Sequence, residues 1–177
     1  MKIFKRILIV VAVLIALPFV MALFTKSEYT VERSIVVNKP RQEVFNYVKL
    51  LRNGERYNKW MKMDPNMKKQ FTGEDGTLGF VYAWEGNDKA GAGEQEIKTI
   101  IEGQRVNSEI RFKRPFEGVA TTFVTTDSVS ATQTKVTWGV AGKQKYPLNL
   151  MNLFIEKGLG DDMSESLGVL KADVEKQ

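Results

Sequence analysis

Tyr29-Thr30-Val31-Glu32-Arg33-Ser34-Ile35-Val36-Val37-Asn38-Lys39-Pro40 is the stretch that decides the fold. Its first part alternates. Tyr29, Val31, Ile35 and Val37 fall on one side, and Thr30, Glu32 and Ser34 on the other, which predicts a half-buried strand. Arg33 interrupts the apolar side, so an edge position or a snorkelling side chain is expected there. Asn38-Lys39-Pro40 then reads as a helix start, with Asn38 as cap and proline tolerated in the first turn. Val44, Phe45, Val48 and Leu51 recur at helical spacing. Asn53-Gly54 is expected to stop that helix.

Toward the C-terminus, residues 55–63 predict a second short helix carrying Tyr57 and Trp60, followed by a turn at Asp64-Pro65-Asn66. Six more strands are predicted over 68–72, 79–85, 92–102, 105–113, 116–126 and 131–141. Gly103-Gln104 reads as a two-residue hairpin loop, and a polar turn is expected near 127–130. Val106, Ser108, Ile110 and Phe112 alternate with Asn107, Glu109, Arg111 and Lys113. Thr134, Val136, Trp138 and Val140 alternate with Gln133, Lys135, Thr137 and Gly139. One buried and one wet face is the mark of an antiparallel sheet. Met151, Phe154, Ile155, Leu159, Met163, Leu167, Leu170 and Val174 follow steps of three and four, which predicts a long final helix. Gly158, Gly160 and Gly168 weaken it, and a bend near 158–160 is expected. The class is α+β: seven antiparallel strands that must curl around one long C-terminal helix to bury its apolar face. Such wrapping often leaves an internal cavity.

Toward the N-terminus, Ile7 to Phe24 are eighteen residues without a charge, preceded by Lys2, Lys5 and Arg6. As a helix they extend about 27 Å, enough to span a hydrocarbon core of about 30 Å with snorkelling flanks. Residues 1–27 are therefore expected to be a transmembrane anchor, with 28–177 as the domain. The positive residues place the N-terminus in the cytoplasm and the domain on the outer side. The alternative is a signal peptide cut near Ala22, giving a secreted or periplasmic domain. A helix with no polar face is a poor match to the packing helix of a globular domain.

The 177-residue chain carries +5 formal charge, but the three N-terminal cations leave 23 basic against 21 acidic residues behind them. That near balance gives no basic face for nucleic acid. There is no cysteine and no histidine. Thiol and serine–histidine catalysis, thiolate metal sites and the commonest metal ligand are thereby removed. No cofactor and no metal is implied.

The order of elements, with Tyr29 to Pro40 followed by Glu43-Val44-Phe45, Trp60-Met61-Lys62-Met63-Asp64-Pro65, Tyr82-Ala83-Trp84-Glu85-Gly86 and Thr134-Lys135-Val136-Thr137-Trp138, resembles the START-like superfamily (SRPBCC; polyketide cyclase/dehydrase and lipid transport). The resemblance covers about residues 28–174 and is nearest to bacterial members with one N-terminal membrane segment. It implies a helix-grip fold and an internal cavity for a hydrophobic or lipid-like small molecule. It carries no shared catalytic motif. Asn53-Gly54-Glu55-Arg56-Tyr57 stands where relatives often have another tryptophan and proline.

Eight residues are expected to line that cavity: Trp60, Tyr82, Trp84, Glu85, Phe112, Phe123, Trp138 and Phe154. Any single aromatic among them also fits as plain core. Met61, Met63, Met67, Met151 and Met163 suit a variable ligand or a gap-filling role. Glu85 is the polar anchor or general base of an enzyme reading, with Glu94, Glu96, Glu109 and Glu117 as companions; for each, a solvated strand residue is the commoner role, since exposed carboxylates are the norm. Asp161-Asp162 makes a weak cation site because adjacent helical residues diverge. Gly91-Ala92-Gly93 precedes a strand and lacks the helix terminus that a phosphate loop uses. Hydrophobic-ligand binding, cyclase or dehydratase chemistry and an envelope protein-interaction role are the three readings left.

Overall fold

A computed structural model describes residues 2–177; residue 1 of the expected 1–27 segment lies outside it. The order is α1 (Lys2–Phe24), β1 (Glu28–Val37), α2 (Arg41–Val48), α3 (Gly54–Tyr57), β2 (Lys68–Thr72), β3 (Val81–Glu85), β4 (Ala92–Ile101), β5 (Arg105–Arg114), β6 (Gly118–Ser130), β7 (Gln133–Lys143) and α4 (Asn152–Glu175). Short 3-10 turns at Leu51–Asn53, Trp60–Lys62 and Leu148–Met151 fill the connections. All strands join one antiparallel sheet in the order β1-β7-β6-β5-β4-β3-β2.

Two apolar clusters hold the sheet around α4. Met163, Leu167, Leu170 and Val174 of α4 pack on Val31, Val37 and Val136, with Val44 and Val48 of α2 closing the cluster. Phe45, Phe80, Tyr82, Ile97 and Val106 form the second. Adjacent residues of α2 thus serve different clusters, Val44 the first and Phe45 the second, and the helix ties the two halves of the curled sheet together. The outer face is wet. Arg111 binds Glu94 and Glu96 at 2.8 Å each, and Lys113 and Lys98 add further pairs.

Arg33 does lie on edge strand β1 and on its inner side. Its guanidinium reaches across α4, donating to the Glu32 and Glu156 carbonyls at 2.8 and 3.3 Å. A Cβ on Gly160 would occupy the space of that guanidinium. The glycine therefore serves a close approach, and α4 runs as one helix from Asn152 to Glu175 through the 158–160 segment.

Several local expectations are corrected. Asn38 does not cap α2; its side-chain carbonyl accepts from Gln133 Nε2 at 2.8 Å, and Pro40 supplies the carbonyl that begins the helix. Asn53-Gly54 does not stop α2, which has already ended at Val48 ahead of the extended Leu50; Gly54 takes helical φ and opens α3. The β4–β5 turn uses Glu102, Gly103 and Gln104, with Gly103 at φ +70°. β6 continues to Ser130, since Thr126, Ser128 and Ser130 go on pairing with β7.

α1 exposes its apolar side chains along nearly its whole length and is long and apolar enough to cross a membrane or to act as a signal sequence. Its C-terminal end is joined to the domain by side chains of the β7–α4 connection. Asn149 Nδ2 donates to the Ala22 and Thr25 carbonyls at 2.7 Å each, and Asn152 Nδ2 donates to those of Lys26 and Ser27 at 2.9 and 3.1 Å. Of these carbonyls, Ala22's belongs to the last turn of α1, where helical partners run out, and the other three to the link into β1.

Candidate ligand cavity

Between the concave face of the sheet, the 54–67 segment and the N-terminal half of α4 lies a cavity of about 490 Å³. That volume falls in the range of small-molecule pockets. Alternation sets its walls. Val106, Ser108, Ile110 and Phe112 of β5 face inward, opposite Val124, Thr122 and Ala120 of β6 in register. The turns after α2 carry Tyr57, Trp60, Met61 and Met63 across the open side, and Leu159 and Asp162 of α4 complete it.

Of the eight expected residues, four place their rings in the wall: Trp60, Trp84, Phe112 and Trp138. They form two edge-to-face pairs, Trp60 with Trp138 at 5.6 Å and Trp84 with Phe112 at 6.3 Å between centroids. This is the favoured aromatic geometry. The chain's three tryptophans all border the one cavity.

The side chains of the other four stand elsewhere. Phe123 is among the residues that border the cavity, but its ring lies on the outer face: it pairs with Asn107 and Gly139, its ring crosses Gly139, and Arg105 stands 4.0 Å above it. Tyr82 faces inward but is wholly sealed beneath Phe71, Phe80 and Phe45, its hydroxyl donating to Glu55 at 3.2 Å. Phe154 is 73 % exposed, because α4 extends there beyond the sheet that buries its later turns. Glu85 has a side chain 65 % exposed and approaches Arg114 at 3.9 Å. With Trp84 inward, its neighbour must point outward. Glu94 and Glu96 are likewise outside. Lys113 and then Arg111 hold the Glu94 carboxyl below its usual range, and Lys98 and then Arg111 do the same for Glu96. None is a general base for the cavity.

The polar groups of the wall are few. Trp138 Nε1 donates to Thr122 Oγ1 at 2.9 Å, and Thr122 donates onward to the Gly139 carbonyl at 2.9 Å. Asp162, the one carboxylate in the wall, is paired with Lys59 at 2.9 Å. Among the described residues, the side chains of Gln95, Ser108 and Tyr57 border the cavity without a hydrogen-bond partner. Their signal in the sequence was faint: Ser108 and Thr122 are small polar residues set among the inward-facing apolar ones of β5 and β6.

Two predictions arise here. Thr122→Val keeps the shape but strands the Trp138 indole N–H, a loss of about 1–3 kcal/mol. Urea unfolding followed by circular dichroism measures it, and an unchanged midpoint contradicts it. Burial, with Asp75 adding, pushes the Tyr57 phenol from 10.0 up to about 12. Burial also raises Tyr29, Tyr47 and Tyr82. A phenol whose folded pKa lies above its unfolded value contributes stability that is complete below about pH 10 and lost as pH rises through the folded value. The urea midpoint is therefore expected to hold up to about pH 10 and then fall. A midpoint still flat near pH 12 contradicts this.

No family model matches the chain, and no curated protein matches it in sequence. Solved structures do. Norcoclaurine synthase from Thalictrum flavum, in complex with dopamine and hydroxybenzaldehyde, superposes with a TM-score of 0.63 at 7 % identity, over 89 % of this chain and 92 % of that one. A hypothetical protein from Helicobacter pylori gives 0.64 at 9 % identity, over 84 % and 89 %. Ara h 8.0201 gives 0.56 at 14 % identity, over 85 % and 99 %. At these identities the likeness is one of fold: the chain has the Bet v 1-like helix-grip architecture, a curled seven-stranded antiparallel sheet around a long C-terminal helix, with an apolar helix added at its N-terminus.

Proposed function

We propose that this chain is a membrane-tethered domain that binds a hydrophobic, lipid-like small molecule in the cavity between sheet and α4. The observation that carries the reading is the wall itself: aromatic, methionine and aliphatic side chains, a few neutral polar side chains, a single carboxylate already paired with Lys59, and Lys89 and Arg114 at its exposed rim. Such a wall favours apolar burial with a few orienting hydrogen bonds. Trp60, Trp84, Phe112 and Trp138 supply the stacking surface in this reading, and Ser108, Gln95 and Tyr57 the polar contacts. A cyclase or dehydratase built on Glu85 has no support, because that carboxylate faces solvent. Norcoclaurine synthase, of the same fold, is described with dopamine and hydroxybenzaldehyde bound, which is consistent with small-molecule occupancy of such a fold.

The tether is α1. Ala22 is buried against the Leu148–Met151 turn and its carbonyl accepts from Asn149, an arrangement that favours a retained helix over cleavage near Ala22. Lys5 and Arg6 ahead of the apolar run then set the N-terminus in the cytoplasm and the domain outside. The test is native mass spectrometry of the full chain extracted from membranes, with solvent extraction of whatever accompanies it. A stoichiometric apolar molecule is the expected result. A bare protein mass, unchanged after incubation with a total membrane lipid extract, contradicts the reading.

A further inference from the structure

One end of the domain is unusually apolar. β1 begins beside the end of β7, Glu28 against Lys143, and the β3–β4, β5–β6 and β7–α4 connections all lie along this same edge of the sheet. It carries Phe116, Tyr146, Leu148, Met151 and Phe154, each about half to three quarters exposed. The opposite end offers three such residues, each alone at its own turn: Leu78 between β2 and β3, Ile101 at the β4–β5 turn, and Val129 beside the β6–β7 turn. Soluble surfaces rarely gather large apolar groups in this way without a partner.

α1 leaves from this apolar end. Only Thr25, Lys26 and Ser27 separate it from β1, a reach of about 10 Å. Even that segment is held, by Asn149 and Asn152 on the backbone carbonyls of residues 22–27 and by Tyr146 Oη donating to the Phe19 carbonyl at 3.4 Å. A helix that crosses the bilayer therefore draws this end, and no other, against the lipid. Lys26 and Lys145 stand exposed here without an acidic partner among the described residues, as suits anionic head groups. Aromatic residues beside lysines are what the membrane interface favours. The cavity's exposed lining residues Lys89, Phe112, Arg114 and Pro115 belong to the same end, as does Met63 ahead of the start of β2, so its opening lies there too.

We infer that the apolar end of the domain lies in the lipid interface beside α1, with Phe116 and Phe154 inserted among the head groups, so that the cavity opens toward the bilayer. The inference rests on the tether reading. A ligand then moves between bilayer and cavity without crossing bulk water, and the lipid surface closes an opening that the chain itself leaves uncovered.

The absence of cysteine makes the test direct. Leu14→Cys, Phe116→Cys, Phe154→Cys and Val129→Cys, one at a time in the full chain, are spin-labelled. Each is reconstituted in nanodiscs of phosphatidylcholine and phosphatidylglycerol. Collision rates with oxygen and with a water-soluble nickel chelate give the depth of each label. Position 14 is expected in hydrocarbon. Positions 116 and 154 are expected to have oxygen-to-nickel ratios several-fold above that at 129. Labels at 116 and 154 as open to nickel as 129, with 14 in lipid, overturn the docking and leave the tether standing. A label at 14 open to nickel overturns both.

Discussion

Ser108→Phe is expected to weaken binding of a bromine-labelled fatty acid by about tenfold or more. Ser108 is a buried residue at the middle of β5 on the concave side, opposite Thr122 and Ile97 in register, and borders the cavity. A phenyl ring grown from that position has one direction to go, into the empty volume. It takes the place of part of a ligand and removes a hydrogen-bonding group at once. Because it fills space instead of compressing packed neighbours, the cost of overpacking, about 1–3 kcal/mol in a full core, is expected to lie at the low end. Binding is read from tryptophan quenching, since bromine quenches on contact and every tryptophan of the chain borders the cavity. Circular dichroism checks that the fold persists. Unaltered affinity in a folded variant means that the ligand lies elsewhere.

Phe45→Ala is expected to lower the free energy of unfolding by about 3–5 kcal/mol. Phe45 is fully buried and belongs to the cluster of Phe80, Tyr82, Ile97 and Val106, while Val44 beside it belongs to the cluster of α4. The cavity left by the ring cannot be filled by α2 without withdrawing Val44 from its own contacts. A domain of this kind is stable by only about 5–15 kcal/mol in total, so the loss brings it near the threshold of folding. Urea unfolding of the full chain in detergent gives the value. A change below about 1 kcal/mol contradicts the account of α2 as the tie between the two clusters.

Most of the architecture was legible because it depends on period. The alternation of 29–37, 106–112 and 134–140 gave strands and their inner faces, and the steps of three and four from Met163 to Val174 gave the buried side of α4. What period does not encode is how far a neighbour extends. Met151 and Phe154 belong to the same series as Leu167, yet they stand exposed because the sheet does not reach them. The cavity was half legible for the same reason. Trp84 and Glu85 are adjacent on a strand and cannot both face inward, so the sequence already argued against Glu85 once Trp84 was taken as buried. Phe123 stands between Thr122 and Val124, and the polarity of Thr122 hid the fact that this residue, not the phenylalanine, points inward. Tyr82 shares the inner face with Trp84 but lies two residues deeper, under Phe71 and Phe80, a difference that only the curl of the sheet creates. Tyr57 ends the four-residue α3 and Met61 lies in a three-residue 3-10 turn, both too short for a period to mark a face.

The central claim is that the space beneath α4 takes an apolar molecule. Its most direct test is titration of the full chain in nanodiscs with the bromine-labelled fatty acid, observing the emission of Trp60, Trp84 and Trp138. Saturable quenching that approaches one molecule per chain, and that Ser108→Phe weakens, is the result predicted. Weak quenching that rises without saturation, identical in the parent chain and in Ser108→Phe, contradicts it.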